Sequence, residues 1–117
     1  MLTICVSIAF DAAHYIPGHE KCGNVHGHTY RVEVEVTGEL KEGMIMDFSD
    51  LEATVREVIG KYDHNLLNRY LENPTCENMC LKILEELKEK GLNVVRLRVY
   101  ETPEKWAEVR VTEGNRV

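Results

Sequence analysis

Strict alternation constrains this chain more than any other feature. Leu2, Ile4, Val6, Ile8 and Phe10 alternate with Thr3, Cys5, Ser7 and Ala9, and Tyr30, Val32, Val34 and Val36 alternate with Arg31, Glu33 and Glu35. A period of two is the pattern of a strand with one apolar face, so strands are predicted over 2–10 and 30–36. The same period puts His26 and His28 on one face if they sit at the mouth of the second strand, and Gly27 between them leaves room for a ligand or another backbone. His14 closes the first strand pattern, and Cys22 lies four residues before His26. Three neutral imidazoles with no fourth protein ligand read as an open, catalytic zinc site, in which water or substrate oxygen completes the tetrahedron. The plain alternative is a set of ordinary strand histidines.

Pro17, Gly18, Gly23 and Gly27 break the stretch from Tyr15 to Gly27, so a loop carrying His19, Cys22 and His26 is expected there. Lys41-Glu42-Gly43 reads as a turn and residues 44–48 as a short extended piece. Ser49-x-x-Glu52 has capping-box spacing and opens a helix from about Asp50 to Lys61, with Leu51, Val55, Val58, Ile59 and Tyr62 as its buried stripe. Thr75 is the predicted N-cap of a second helix whose apolar face is Met79, Ile83, Leu84 and Leu87, and Gly91 ends it. Val95, Leu97 and Val99 mark a third strand, Ala107, Val109 and Val111 a fourth, and the tail from Glu113 is expected to fray.

The order β-β-α-α-β-β gives an α+β fold: an antiparallel four-stranded sheet with two helices on one face. A chain of 117 residues makes one domain, 1–117. Little blunts the sheet edges, so pairing with further copies is the physical expectation.

Composition narrows the partners. A net charge of −6 argues against nucleic acid, and no apolar run approaches the roughly 18 residues of a membrane span. Met1 leads directly into the strand pattern with no basic leader, so no signal peptide is read. Cys5, Cys22, Cys76 and Cys80 are then expected to stay reduced in a cytoplasmic protein. Cys76 and Cys80 read as small apolar helix residues, because no histidine or further cysteine stands near them.

Three further groups have chemical potential. Lys21 beside Cys22 favours the thiolate, which fits a nucleophile or general base, a fourth metal ligand, or an idle thiol. Asp63-His64 fits an acid–base couple, since a carboxylate raises the basicity of an adjacent imidazole and fixes its tautomer; a solvated loop pair is the other reading. Glu101, with Thr102, ends the third strand and fits either a two-point anchor for a guanidinium-like ring edge or a turn-flanking acid. His19 reads as a solvated loop residue.

Taken in sequence, these pieces resemble one family. Phe10-x-Ala12-Ala13-x0-His14, Cys22-x3-His26-Gly27-His28, Asp47-Phe48-x-Asp50-Leu51, Asp63-His64-x-x-Leu67-Asn68, Pro74-Thr75-x-Glu77-Asn78 and Glu101-Thr102 are similar to motifs of the 6-pyruvoyl-tetrahydropterin synthase family, over about residues 4–110. The three-residue gap between the cysteine and His-Gly-His resembles its 6-carboxy-tetrahydropterin synthase branch, which acts in queuosine and deazapurine biosynthesis.

The resemblance implies a tunnelling fold closed by three subunits, with trimers stacking as hexamers and active sites between subunits. It implies Zn²⁺ on His14, His26 and His28, Cys22 as a thiolate base, and His64 oriented by Asp63 as acid or base on the opposite face. Glu101, assisted by Thr102, would anchor the pterin. The implied reaction is a carbon–carbon lyase step that takes 7,8-dihydroneopterin triphosphate to 6-carboxytetrahydropterin, acetaldehyde and triphosphate. A pyruvoyl-forming synthase, an aldolase of the same family, and a non-catalytic zinc- or pterin-binding subunit are the alternatives. The segment Pro103-Glu104-Lys105-Trp106-Ala107 departs from the family pattern near the implied pocket.

Overall fold

The two alternating stretches form the two longest strands, β1 (Ile4–His14) and β2 (His26–Val36), in a computed structural model that describes residues 1–111. They pair antiparallel from Ile4 opposite Val36 to His14 opposite His26 with no shift in register. Ile8, Phe10 and Ala12 of β1 and Tyr30, Val32, Val34 and Val36 of β2 are buried. Phe10 and Tyr30 stack across the pair with ring centroids 5.3 Å apart.

β2 continues to β4 (Val94–Thr102) and then β5 (Lys105–Arg110), both antiparallel. Helices α1 (Phe48–Ile59) and α2 (Cys76–Glu89) cover the buried face, α1 over β1 and α2 over β4 and β5. The α+β class and the two helices on one face are as expected from the sequence. The sheet, however, has five strands in the order β3-β1-β2-β4-β5, because Asn65–Leu66 add a two-residue strand, β3, parallel to β1. His64, just before that strand, has φ +59° and donates its N–H to the Asp11 carbonyl. Polar Asp63-His64-Asn65 shows no periodicity, so so short a pairing leaves no trace in the sequence.

Three other local expectations are corrected. The N-cap of α1 is Asp47, whose carboxylate accepts the Ser49 N–H, so Ser49 sits inside the helix. Residues 44–48 hold an isolated bridge between Lys41 and Met44 and then enter α1 at Phe48, rather than a strand. In β4 a bulge lets Val36 face Val94 while Glu35 faces Arg96, so Val94 is buried and Val95 only half so. Thr75 caps α2 as read, accepting the Asn78 N–H. The expected fraying from Glu113 lies outside the described residues.

The opposite face of the sheet carries charge. Arg96 bridges Glu33, Glu35 and Glu108, and Glu108 also takes the guanidinium groups of Arg98 and Arg110. The Arg98 and Arg110 hydrogen bonds hold the Glu108 carboxyl down at about 2 against an ordinary 4.5. A carboxylate depressed in the folded state adds stability above its unfolded pKa and loses it as pH falls through the folded value. Glu108→Gln is therefore expected to lower the melting temperature at pH 7. The gap to wild type should close between about pH 4.5 and pH 2; a gap that stays constant over that range would contradict the network's role.

Candidate metal centre and acid–base site

The β1–β2 register builds the first group. His14 pairs directly with His26, and His28 lies two residues further along β2 on the same face, opposite Ala12. The small Ala12 side chain leaves room for the three rings, whose centroids are 4.6, 5.2 and 4.9 Å apart. One nitrogen from each ring lies within 4.8 Å of the others. His14 is the buried polar side chain among the described residues, at 2% exposure, so this group sits at the rim of the core rather than in solvent.

Hydrogen bonds select the tautomers. His14 Nδ1 lies 2.8 Å from the Pro74 carbonyl and His26 Nδ1 lies 2.7 Å from the Asn24 carbonyl. A carbonyl only accepts, so both Nδ1 atoms carry the proton and both Nε2 atoms present lone pairs. Those two Nε2 atoms are 3.1 Å apart. Two lone pairs at that separation repel unless a proton or a cation lies between them. His28 Nε2 is buried with no hydrogen-bond partner. Burial depresses the His28 pKa, and its two neighbouring imidazoles add to this against the opposing pull of Glu101, so the ring is neutral and ligand-competent. Carbonyl-held imidazoles converging with unused nitrogens are what a transition-metal ion requires of its ligands and of their supporting groups. The group contains three histidines and no sulfur.

Glu101 stands on the same side. It shares the inward parity of Leu97 and Val99 on β4, and a bulge at this position follows from Tyr100 facing Trp106 while Thr102 faces Lys105. Its carboxylate is 3.6 Å from His28 Nε2, too long for a hydrogen bond. It lines a cavity of about 320 Å³ with Cys76, Glu77 and Trp106. Thr102 Oγ1 is buried without a partner. Cys76 and Glu77 were not singled out for this cavity in the sequence; their place at the first turn of α2, just after the Thr75 cap, was the available signal. Burial pushes the Cys76 thiol up to about 11 and the Cys80 thiol to about 12, and both donate to carbonyls of β4, which suits inert helix residues.

Asp63 and His64 form a second group that shares no member with the first. Asp63 Oδ1 is 3.0 Å from His64 Nδ1 and accepts the Asp11 N–H at 3.0 Å. The backbone bond from Asp11, followed by the His64 imidazole, holds the Asp63 carboxyl below its ordinary value. Asp11, unremarked in the sequence, joins this group and takes a hydrogen bond from Thr29 Oγ1. Asp11, Gly27, Thr29 and His64 line an open cleft of about 580 Å³. Asp11 and Thr29 have the parity opposite to His14, His26 and His28, yet His28 lines the cleft as well, so the cleft reaches from His64 to one member of the triad. A Cβ at Gly27 would meet only the Ala12 carbonyl oxygen, at 3.6 Å, so the glycine is not demanded by crowding within the chain.

Cys22 is half-buried in the loop before β2, and all four cysteines are free. The model of the 6-pyruvoyl tetrahydropterin synthase family matches residues 3–112. The chain belongs to that family. A protein of Archaeoglobus fulgidus assigned as a 6-carboxy-5,6,7,8-tetrahydropterin synthase is 59% identical over 110 residues, covering 93% of this chain and 96% of that one. A Pyrococcus furiosus protein named dihydroneopterin monophosphate aldolase is 41% identical over 90 residues, covering 77% and 78%. The structure of Caenorhabditis elegans 6-pyruvoyl tetrahydropterin synthase superposes with a TM-score of 0.84 over 95% of this chain and 96% of that one, at 24% identity, and so shares the fold. Membership of the 6-pyruvoyl tetrahydropterin synthase family makes this a pterin-enzyme fold, and among the described residues no helix is long and apolar enough to cross a membrane.

Chelator-treated protein titrated with Zn²⁺ is expected to bind about one ion per chain and to melt at a higher temperature, since an ion that binds only the folded state stabilises it. His26→Ala should lose both effects. Unchanged uptake in that variant would show that the three imidazoles are not the ligands.

Proposed function

We propose that the chain is a zinc-dependent 6-carboxy-5,6,7,8-tetrahydropterin synthase, a carbon–carbon lyase converting 7,8-dihydroneopterin triphosphate and water to 6-carboxytetrahydropterin, acetaldehyde and triphosphate. The observation that carries the reading is the convergence of His14, His26 and His28, with two Nδ1 protons committed to carbonyls and the His28 Nε2 buried without a partner. The relative from Archaeoglobus fulgidus supports the branch, and a place in queuosine or deazapurine biosynthesis is part of the same proposal.

The three histidines would hold Zn²⁺, which when bound supplies Lewis acidity toward the hydroxyls of the substrate's side chain. Cys22 removes a proton from that side chain as a thiolate. His64, its Nδ1 fixed by Asp63, moves a proton at Nε2 on the opposite face of the substrate. Glu101 accepts two hydrogen bonds from the aminopyrimidine edge of the pterin, and the unpartnered Thr102 hydroxyl is available to the same ring. Proton shifts between neighbouring carbons need bases on two sides and no organic cofactor.

Within one protomer the imidazole triad and the Asp63–His64 couple form separate groups that share no member. The sheet edges favour pairing with further copies, and the reading includes a trimer or hexamer with active sites between subunits. The enzyme is read as cytoplasmic.

A second reading has one observation in its favour, the 41% identity to the Pyrococcus furiosus aldolase. That reading keeps the family fold but has the side chain cleaved to release glycolaldehyde. Zinc-loaded protein incubated with dihydroneopterin triphosphate, and separately with the monophosphate, distinguishes the two. Acetaldehyde with a carboxypterin is expected; glycolaldehyde would move the chain to the aldolase reading, and unchanged substrate would leave a binding subunit. Cys22→Ala is expected to lower turnover by at least about a hundredfold, the scale of a lost proton-transfer group, with zinc content near wild type. Loss of zinc from that variant would make the thiol a ligand instead.

A further inference from the structure

The loop between β1 and β2 is tied together by His19, a side chain that the sequence places in solvent and that is exposed. Ile16 N–H donates to the Cys22 carbonyl at 2.7 Å, and His19 N–H donates to the Ile16 carbonyl at 3.2 Å, closing the loop on itself. Inside that closure the Cys22 N–H donates to His19 Nδ1 at 2.9 Å. Gly23 follows, and a Cβ there would sit 2.4 Å from the His19 carbonyl oxygen, so only glycine lets the chain pass His19 this closely. One residue later the Asn24 carbonyl takes up His26 Nδ1. The backbone bearing the thiol is thus tied on one side to His19 and on the other to a member of the imidazole triad.

We propose that His19 is a positioning residue for Cys22: its Nδ1 lone pair anchors the Cys22 amide and so fixes the thiol relative to the triad. This inference rests on the proton-transfer role proposed for Cys22. An Nδ1 that accepts carries no proton, so His19 serves as the Nε2–H tautomer, opposite to the one His14 and His26 adopt. The chemistry explains why an imidazole stands here. The Cys22 amide takes His19 Nδ1 as its partner at a site open to solvent. An aliphatic side chain would hand that N–H to solvent and free the thiol to move by the fraction of an ångström that proton transfer does not tolerate.

Three variants of the full-length chain separate this from a merely structural role. Asparagine carries its Oδ1 close to where histidine carries Nδ1, so His19→Asn keeps the acceptor. His19→Leu removes it, and His19→Gln moves it one carbon too far out while keeping the polarity. Two readouts apply to each: kcat and KM with dihydroneopterin triphosphate, and the rate at which iodoacetamide alkylates Cys22, followed by peptide mass mapping so that Cys5, Cys76 and Cys80 are counted separately. His19→Leu and His19→Gln are expected to lower kcat about tenfold or more with KM within about twofold, and to speed Cys22 alkylation at least about threefold as the loop loosens. His19→Asn should stay within about threefold of wild type in both. Leucine and glutamine variants that match wild type in kcat and in alkylation would overturn the proposal, as would an asparagine variant as impaired as the leucine one. Wild-type protein that turns over no pterin phosphate would refute the proposed function instead, and the alkylation series would then decide the role of His19 alone.

Discussion

The unbroken register between β1 and β2 is the constraint on which the other features depend. Eleven consecutive pairs run from Ile4–Val36 to His14–His26, and a slip by one residue would turn every side chain to the other face. Tyr30, Val32 and Val34 are fully buried, and exposing such side chains costs roughly 1.5–3 kcal/mol each. Three of them account for a sum comparable to the ~5–15 kcal/mol that holds a whole domain together. The apolar half of the ladder thereby holds the polar half: His14 meets His26, and His28 follows, because Phe10 meets Tyr30 four residues away along each strand. The core and the candidate metal centre are two ends of one pairing.

What turns a cluster of rings into a ligand set is the backbone around it. Carbonyls of Pro74 and Asn24 come from the turn before α2 and from the β1–β2 loop, and each fixes a tautomer that sequence neighbours alone would leave open. Burial then keeps His28 neutral while leaving its nitrogen without a protein partner. Two Nε2 atoms 3.1 Å apart leave a place between them for a proton or a cation. Such an arrangement is expected where function, not packing, sets the geometry.

Much of this was legible in the sequence, for a physical reason that also explains the failures. Period-two alternation reports a face, so the strands, the parity of His26 and His28 and the helical stripes could be read directly. Features decided by a single hydrogen bond could not. Asp47 outcompeted Ser49 as the cap of α1 through one carboxylate–amide contact, and β3 exists because His64 adopts a left-handed backbone that lets its N–H reach Asp11. The bulge that buries Val94 in place of Val95 breaks the period itself. At the site, the three histidines and Glu101 were visible as chemistry. Cys76, Glu77 and Asp11 were not, because they acquire a role only from what the fold lays beside them. His19 is exposed, as read, but its hydrogen bond could not be foreseen because the partner is a backbone amide, which no side-chain motif announces.

The central claim is that three imidazoles bind the metal and the thiol stays free. X-ray absorption at the zinc edge of the loaded, substrate-free protein tests it most directly. Three nitrogen ligands and one further light atom at about 2.0–2.1 Å, with no sulfur shell, are expected. A sulfur scatterer near 2.3 Å would place Cys22 in the coordination sphere and contradict its assignment as the base.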